Sequence, residues 1–496
     1  MVETTARAAP FEHPGHFFID GEWLAASSGA VFEVVTPSTE ELFVRVAEAR
    51  AEDMDRAVQA ARGAFDHGPW PRLSHAERAG YLRAIAKGMA ARAADLANIW
   101  TSEVGILHGL AHYQAQAVPE IYEYYASLAE SFAFEARHKP RAGGKVGLLV
   151  REPVGVVAAI VPWNGPLLMI AYKVAPALLA GCTVILKASP EAPGAAYVLA
   201  EICAAAGLPK GVLNVVTADR AVSELLVRDA RVDKVTFTGS SAAGKTIGAI
   251  CGERVARCTL ELGGKSAAVI LDDYDLATAA QSLSGSTRLV TGQVCSALTR
   301  VIVTRGRHDQ LVEALAAEFS AIKVGDPFDD KIDMGPLAMA RQRDRVESYI
   351  AQGRAEGAVV AAGGGRPSEL NRGFFVQPTV FSQVDNAMTI AREEIFGPVI
   401  SVIAADSEAQ AVEIANDTVF GLNASVFTDD AERAYQAARQ LRSGTVGHNG
   451  FRSDFSIAFG GFKQSGIGRE GGVEGLLPFL ETKTVVLEGE PQHLSV

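Results

Sequence analysis

Short apolar runs alternate with longer stretches of helical spacing along most of this chain. Phe17-Phe18-Ile19 and Glu22-Trp23 flank Asp20-Gly21, a dipeptide that predicts a tight hairpin. Apolar residues three and four apart predict helices over 51–63, 75–102 and 110–136, the last kinked at Pro119. From Val154 the pattern becomes buried strand, turn, helix and buried strand, at 154–161, 167–179 and 183–186. Further strands are predicted at 212–216, 234–238, 267–271 and 300–303, each followed by a helical stretch. That alternation is the mark of an α/β fold with parallel strands.

A second α/β region begins after Glu261. Its predicted strands are 379–381, 399–403 and 425–427, and its helices 307–320, 341–356 and 407–416. Residues 481–487 form a lone alternating strand near the end of the chain, and 141–150, turning at Gly143-Gly144, is an excursion able to pair with other strands. An exposed strand edge is usually covered, and pairing between subunits would cover it, so an oligomer is expected. Sequence repeats and low-complexity tracts are absent.

Composition narrows the classes. The 496 residues are 48% hydrophobic and 21% charged, enough for two or three cored domains. A net charge of −12 repels phosphate backbones, so nucleic acid is not an expected partner. The apolar stretch 154–186 is interrupted by Pro162, Asn164, Gly165, Pro166, Lys173 and Pro176, which argues against a membrane span. Residues 1–14 lack the apolar core of a secretory signal. The five cysteines, Cys182, Cys203, Cys251, Cys258 and Cys295, make no disulfide framework and no CxxC pair. No His/Cys cluster has metal-ligand spacing, so no metal is expected, and a reducing cytoplasm fits.

Chemistry enters at Cys295, in Gly292-Gln293-Val294-Cys295-Ser296, and at Glu261, in Leu260-Glu261-Leu262-Gly263-Gly264-Lys265. A thiol in a small-residue loop and a carboxylate on a glycine-flanked turn suggest covalent catalysis with a general base. A free thiol titrates near pH ~8.5, so such a site must lower that value or set a base beside it. A second motif competes. Gly239-Ser240-Ser241-Ala242-Ala243-Gly244-Lys245-Thr246 fits the phosphate-binding pattern GxxxxGK[ST] between a predicted strand and helix. Ala267-Ala268-Val269-Ile270-Leu271-Asp272 even resembles the strand that would end in a magnesium ligand. Yet a glycine turn opening a helix seats any diphosphate, including a dinucleotide pyrophosphate. GxGxxG is absent here. The turn alone leaves nucleotide hydrolysis and dinucleotide binding both open.

Over nearly its whole length the chain resembles the aldehyde dehydrogenase superfamily. The matching segments, in family order, are Val161-Pro162-Trp163-Asn164-Gly165-Pro166, Lys187-Ala188-Ser189-Pro190-Glu191, Phe237-Thr238-Gly239-Ser240 and Leu260 to Lys265. Gly292 to Cys295, Glu393-Glu394-Ile395-Phe396-Gly397-Pro398 and Phe459-Gly460-Gly461-Phe462-Lys463-Gln464-Ser465-Gly466 follow. The resemblance implies a Rossmann-like dinucleotide-binding domain (1–135 and 154–262), an α/β catalytic domain (263–465) and a small β oligomerisation arm (136–153 and 480–496). It makes the glycine turn a seat for NAD(P), with Lys245 one turn into the helix, beyond that seat. The remaining alternatives are a P-loop nucleotide hydrolase and a non-catalytic dinucleotide-binding or scaffold member of the fold. The presence of thiol, base and oxyanion donor weakens the last.

The resemblance implies roles residue by residue. Cys295 attacks the aldehyde, and the Asn164 amide and Cys295 N–H hold the oxyanion. Glu261 activates the water that frees the acid; relatives that pass the acyl group to coenzyme A lack a base there. Lys173 and Glu470 relay the proton outward. Lys187 reaches the adenosine ribose, Gly239 and Ser240 the pyrophosphate, Glu394 the nicotinamide ribose. Phe396 and Trp163 pack beside the ring, and Val161, Pro162, Ser189 and Leu262 complete the cofactor cleft. Many NAD-preferring relatives carry an acidic residue three after the lysine, where this chain has Pro190 with Glu191 next. NAD is expected, with NADP open. The implied substrate walls are Gly165, Met169, Tyr172, Val294, Ser296 and Phe459, with Phe451 and Phe455 near the mouth. They are largely apolar, and Gly165 stands where relatives carry bulk. The expected partner is therefore a medium or large hydrophobic aldehyde, and the expected assembly a homodimer or homotetramer.

Overall fold

The computed structural model describes residues 8–491. Part of the 1–14 segment, expected to hold no signal, and the last residues of the 480–496 arm lie outside the described residues. The predicted hairpin is present: His16–Ile19 pairs antiparallel with Glu22–Ala25. Its turn places Asp20 and Gly21 at φ 54° and 75°, the two left-handed residues that match strand twist.

Eight strands form the first sheet. At its centre run five parallel strands, in spatial order Leu213–Thr217, Thr183–Ala188, Val156–Ile160, Lys234–Thr238 and Arg257–Glu261. Along the chain that order is third, second, first, fourth, fifth. It therefore reverses between Val156–Ile160 and Lys234–Thr238, where the following connections diverge and open a crevice at the carboxyl ends. Both faces are covered, which is why these strands read as apolar runs. Val157 and Ala159 join the core with residues of the helix Pro166–Ala180. Val156, Ala158 and Ile160 pack with residues of the helices Ala51–Asp66 and Ser241–Arg254.

The second sheet has seven strands, in the order Val359–Ala362, Thr379–Ser382, Val399–Ala405, Leu298–Thr304, Ser266–Ile270, Asn423–Phe427 and Thr445–His448. All pair in parallel except the antiparallel edge strand Val359–Ala362. Glu261 ends a strand of the first sheet and Ser266 begins one of the second, so the chain crosses between sheets in the Leu262-Gly263-Gly264-Lys265 turn.

Three expectations change. The predicted helix 75–102 is two helices, His75–Ala91 and Ala93–Val104. They break at Arg92, whose guanidinium reaches out to Asp95, Glu201 and the Pro10 carbonyl. The predicted helix 110–136 is His108–Ser131, with Pro119 inside it. Glu135–His138 is instead a strand, because pairing with Val146–Pro153 outweighs local helical spacing. The strand expected to stand alone, 481–487, is Leu480–Leu487 and pairs antiparallel with Val146–Pro153 along its length. Among the described residues no helix is long and apolar enough to cross a membrane.

Candidate active site

The crevice at the reversal point gathers the residues expected to hold a dinucleotide. Lys187 ends the strand Thr183–Ala188 but for one residue and is buried; burial brings its ammonium down to about 8, against the pull of Glu191 and Asp219. Glu191 accepts from the Ser189 hydroxyl and from the Arg341 guanidinium. Burial works against the Glu191 carboxylate, yet these two donors hold its pKa below the ordinary value. Across the crevice, Gly239 N–H donates to the Glu261 carbonyl at 3.0 Å, and Ser240 caps the next helix by accepting from Ala243 N–H. Thr238 Oγ1 and Ser241 Oγ sit at this turn buried without a partner. A helix N-terminus with unspent hydroxyls fits an anionic group such as a pyrophosphate.

The nicotinamide end of the expected cleft is equally assembled. Trp163 and Phe396 meet edge to face, 5.4 Å between ring centres. Glu394 Oε1 accepts from Gly264 N–H at 3.1 Å. Burial lifts the Glu394 carboxyl to about 7, against the opposing effect of Gly264, Arg345 and Lys265. A Cβ at Gly263 would lie 2.4 Å from Glu394 Oε2, so a side chain there would displace the Glu394 carboxylate. Val161 and Leu262 are buried, and Pro162 is half-buried.

Cys295 lies on a loop whose backbone is tightly specified. Val290, Thr291 and Gly292 have φ 46°, 55° and 71°. A side chain at Gly292 would strike the Gly397 carbonyl carbon at 2.3 Å. Gln293 is fully buried and anchors the loop, donating to Val290 O at 2.9 Å and accepting from Ala338 N–H at 3.0 Å. Its own carbonyl accepts from Asn164 Nδ2 at 2.9 Å. Asn164 is fixed in turn by Trp100, whose indole N–H donates to the Asn164 carbonyl at 3.1 Å. Thus the amide expected to hold an oxyanion stands against the loop that carries Cys295. The Cys295 thiol is pushed up to about 12, mainly by burial and then by Glu394 and Glu261. It stays protonated at neutral pH until a base takes the proton.

Glu261 is buried, and neither carboxylate oxygen has a hydrogen-bond partner. Burial, then the charge of Glu470, drives its pKa well above the carboxylate range, with Lys173 and Arg469 opposing. Lys173 forms a buried ion pair with Glu470. Its ammonium also donates to Thr236 Oγ1 at 3.3 Å. The expected relay pair is therefore in direct contact.

Three of the expected substrate-wall residues stack on one another. Tyr172 stacks on Phe455 at 4.5 Å, and Phe455 on Phe459 at 4.1 Å. A Cβ at Gly165 would meet nothing within 4 Å, so the missing side chain leaves open space. Met169 and Val294 are half-buried, whereas Ser296 is buried and its carbonyl is held by Asn423 at 3.2 Å. Phe451 does not join the aromatic stack; it packs against the second-sheet cluster that includes Leu283, Leu311 and Phe427.

The phosphate-loop match dissolves in the fold. Gly244 is a helical residue, and its missing side chain makes room for Leu262, 2.3 Å from where a Cβ would stand. Lys245 is exposed on the same helix. Asp272 follows a strand of the other sheet and pairs with Arg433. Sequence reasoning missed Gln293 as an anchor, Arg341 on Glu191, and the buried Lys234 and Thr236 on the strand beside Glu261. The signal for the last two was present: polar residues at every second position of a strand read as a half-exposed face, but both faces are covered.

The pattern of the Aldehyde dehydrogenase family matches residues 23–485. The chain belongs to the aldehyde dehydrogenase family. Among the relatives of this aldehyde dehydrogenase, geranial dehydrogenase of Castellaniella defragrans is 45% identical over 475 residues, covering 96% of this chain and 99% of that one. The 3-succinoylsemialdehyde-pyridine dehydrogenase of Pseudomonas sp is 42% identical over 475 residues, covering 95% and 98%. The fold superimposes on the Mycobacterium tuberculosis aldehyde dehydrogenase complexed with NAD+ with a TM-score of 0.93, at 44% identity over 97% of this chain and 99% of that one. Aldehyde dehydrogenase C of Pseudomonas syringae, a mutant complexed with NAD+ and octanal, also gives 0.93, at 40% identity over 98% and 99%.

Proposed function

We propose that this chain oxidises a medium or large apolar aldehyde to the carboxylic acid, with NAD as hydride acceptor and water as the second nucleophile. One observation carries the reading: a buried carboxylate, Glu261, with no bonded partner and electrostatically coupled to the Cys295 thiol. An unpartnered buried carboxyl is costly and marks a group held ready for a proton.

Cys295 Sγ bonds to the aldehyde carbon once its proton has gone to a base, and the carbonyl oxygen becomes an oxyanion. Asn164 Nδ2 and the Cys295 N–H donate to it. Bound in the crevice, NAD supplies the hydride acceptor. Lys187, Gly239, Ser240, Glu394 and Phe396, with Val161, Pro162, Trp163, Ser189 and Leu262, are the residues that would hold it; the NAD+ complexes of the two similar structures support NAD as the cofactor. The enzyme-bound thioester is then cleaved by water. Glu261 takes the water proton as the hydroxyl oxygen bonds to the acyl carbon and the C–S bond breaks. Lys173 and Glu470 pass that proton away.

The stacked rings of Tyr172, Phe455 and Phe459 and the space at Gly165 suit an extended apolar body. Geranial and octanal, named for two similar proteins, are of that kind. Residues 1–135 and 154–262 serve as the dinucleotide-binding domain and 263–465 as the catalytic domain. Segments 136–153 and 480–496, which carry the antiparallel strands Val146–Pro153 and Leu480–Leu487, serve as the arm of a homodimer or homotetramer. The free cysteines suit a reducing cytoplasm.

Glu261→Gln tests the reading. Rapid mixing with NAD and an aldehyde should give a burst of NADH, followed by turnover slowed about 10²–10⁴-fold, the range of a lost general base. Intact mass should show acyl-enzyme. Unchanged turnover would refute the assignment, and a lost burst would move Glu261 to activation of the thiol.

A further inference from the structure

Beneath the base, six polar side chains are buried side by side: Lys173, Lys234, Thr236, Thr259, Glu261 and Glu470, none more than 3% exposed. Strand geometry aligns four of them. Lys234 and Thr236 share one face of their strand, and Thr259 and Glu261 share that face of the next. The parallel register sets Thr236 beside Thr259 and Thr238 beside Glu261. Lys173 Nζ and Glu470 Oε1 lie 3.3 and 3.4 Å from Thr236 Oγ1. Lys234 Nζ donates to Thr259 Oγ1 at 2.7 Å and sits 5.1 Å from the centre of the Phe479 ring.

The polar groups thus lie along the sheet from Glu261 toward Lys234, with Lys173, Glu470 and Thr236 hydrogen-bonded together and Thr259 and Lys234 bonded to each other on the neighbouring register positions. They end where Arg257, the register partner of Lys234, is exposed and paired with Glu481. Lys234 has no ion-pair partner among the described residues. A buried ammonium without a counter-ion is expensive, and an apolar side chain would fill the space at less cost.

We propose that Thr236, Thr259 and Lys234 carry the proton collected by Glu261 onward from Lys173 and Glu470 to the lower rim of the first sheet. This role rests on the reading of Glu261 as the base for water. Each transfer moves one proton and changes no oxidation state. Thr236 Oγ1 receives a proton from the Lys173–Glu470 pair as it releases its own to Thr259 Oγ1. Thr259 Oγ1 in turn hands one to neutral Lys234 Nζ, and the resulting ammonium gives it up at the rim marked by the exposed Arg257–Glu481 pair. Burial brings Lys234 down to about 8, so both its forms are accessible near neutral pH. The titratable groups acting on it are Cys258 and Cys182, Lys173 and Glu470.

Lys234→Met and Thr259→Val test the conduit in the full-length enzyme. With aldehyde and NAD, the NADH burst should keep its wild-type rate, because it precedes hydrolysis. Steady-state turnover should fall about tenfold, 1.4 kcal/mol of barrier, and its solvent deuterium isotope effect should rise. Turnover and isotope effect within twofold of wild type in both variants would overturn the conduit. A burst slowed in proportion to turnover would overturn it too, by assigning these residues to architecture. If Lys234→Met does not fold, Thr259→Val, which keeps shape and removes only the hydroxyl, decides alone. Slow Glu261→Gln with unaffected variants sinks the conduit only; full turnover by Glu261→Gln sinks the base reading and the conduit together.

Discussion

Removing the Asn164 side chain separates oxyanion stabilisation from the rest of the site. In the resting enzyme its Nδ2 donates to the Gln293 carbonyl at 2.9 Å, so truncation has two costs. The first falls on stability. A lost hydrogen bond is worth about 0.5–1.5 kcal/mol net, and about 1–3 kcal/mol if the carbonyl stays unsatisfied. The loop itself should hold, because the Gln293 side chain still bonds Val290 O and Ala338 N–H. The second cost falls on the transition state. One missing oxyanion donor slows reaction about 10²–10³-fold, near 2.7–4 kcal/mol. The rate effect should therefore exceed the stability effect. Asn164→Ala should show a burst of NADH slowed about 100-fold or more, with a modest drop in melting temperature. Alkylation of Cys295 by iodoacetamide reports the loop independently and should stay within about threefold, under 0.7 kcal/mol. A burst within about tenfold of wild type would refute the oxyanion role. Slow alkylation would instead show that Asn164 props the loop.

Lys173 pulls the Glu261 pKa down, while burial and Glu470 push it up. Lys173→Met should thus move the acid limb of the kcat–pH profile to higher pH and Glu470→Gln should move it lower; shifts of the opposite sign would contradict the coupling. Gly165→Leu should leave melting unchanged, because its Cβ meets nothing within 4 Å, and should raise KM for bulky aldehydes but not for acetaldehyde. Equal effects on both would show that Gly165 does not line the tunnel. Lys245→Ala should retain dehydrogenase activity within about tenfold, about 1.4 kcal/mol. Neither form should hydrolyse ATP, and magnesium-dependent hydrolysis that vanishes with Lys245 would restore the phosphate-loop reading.

Local pattern sufficed where burial alone decides structure. The strands Val156–Ile160, Thr183–Ala188 and Lys234–Thr238 lie between two helical layers, and their short apolar or β-branched runs were readable. Glu135–His138 was not, since its strand character comes from pairing with Gly147 to Val150. Cys295, Glu261 and Asn164 were visible because each sits in a short characteristic string. Their supports were not. The Arg341–Glu191 contact spans 150 residues of chain, and the Lys234–Thr259 bond joins two strands whose adjacency no local spacing states. The phosphate-loop string failed for the converse reason. Its second glycine answers to Leu262, a neighbour outside the motif.

The crossing between the two sheets has a mechanical consequence. Glu261 terminates one sheet and Ser266 opens the other, and Gly264 lies so close to the Cys295 carbonyl that a Cβ would stand 2.4 Å from it. Five peptide steps reach at most ~18 Å, so the turn has little slack. Glu261 and Cys295 belong to different structural halves, and their separation is a gauge of how those halves sit on each other. Mild denaturant that loosens the joint should silence the enzyme before either half melts, making activity a more sensitive strain gauge than circular dichroism.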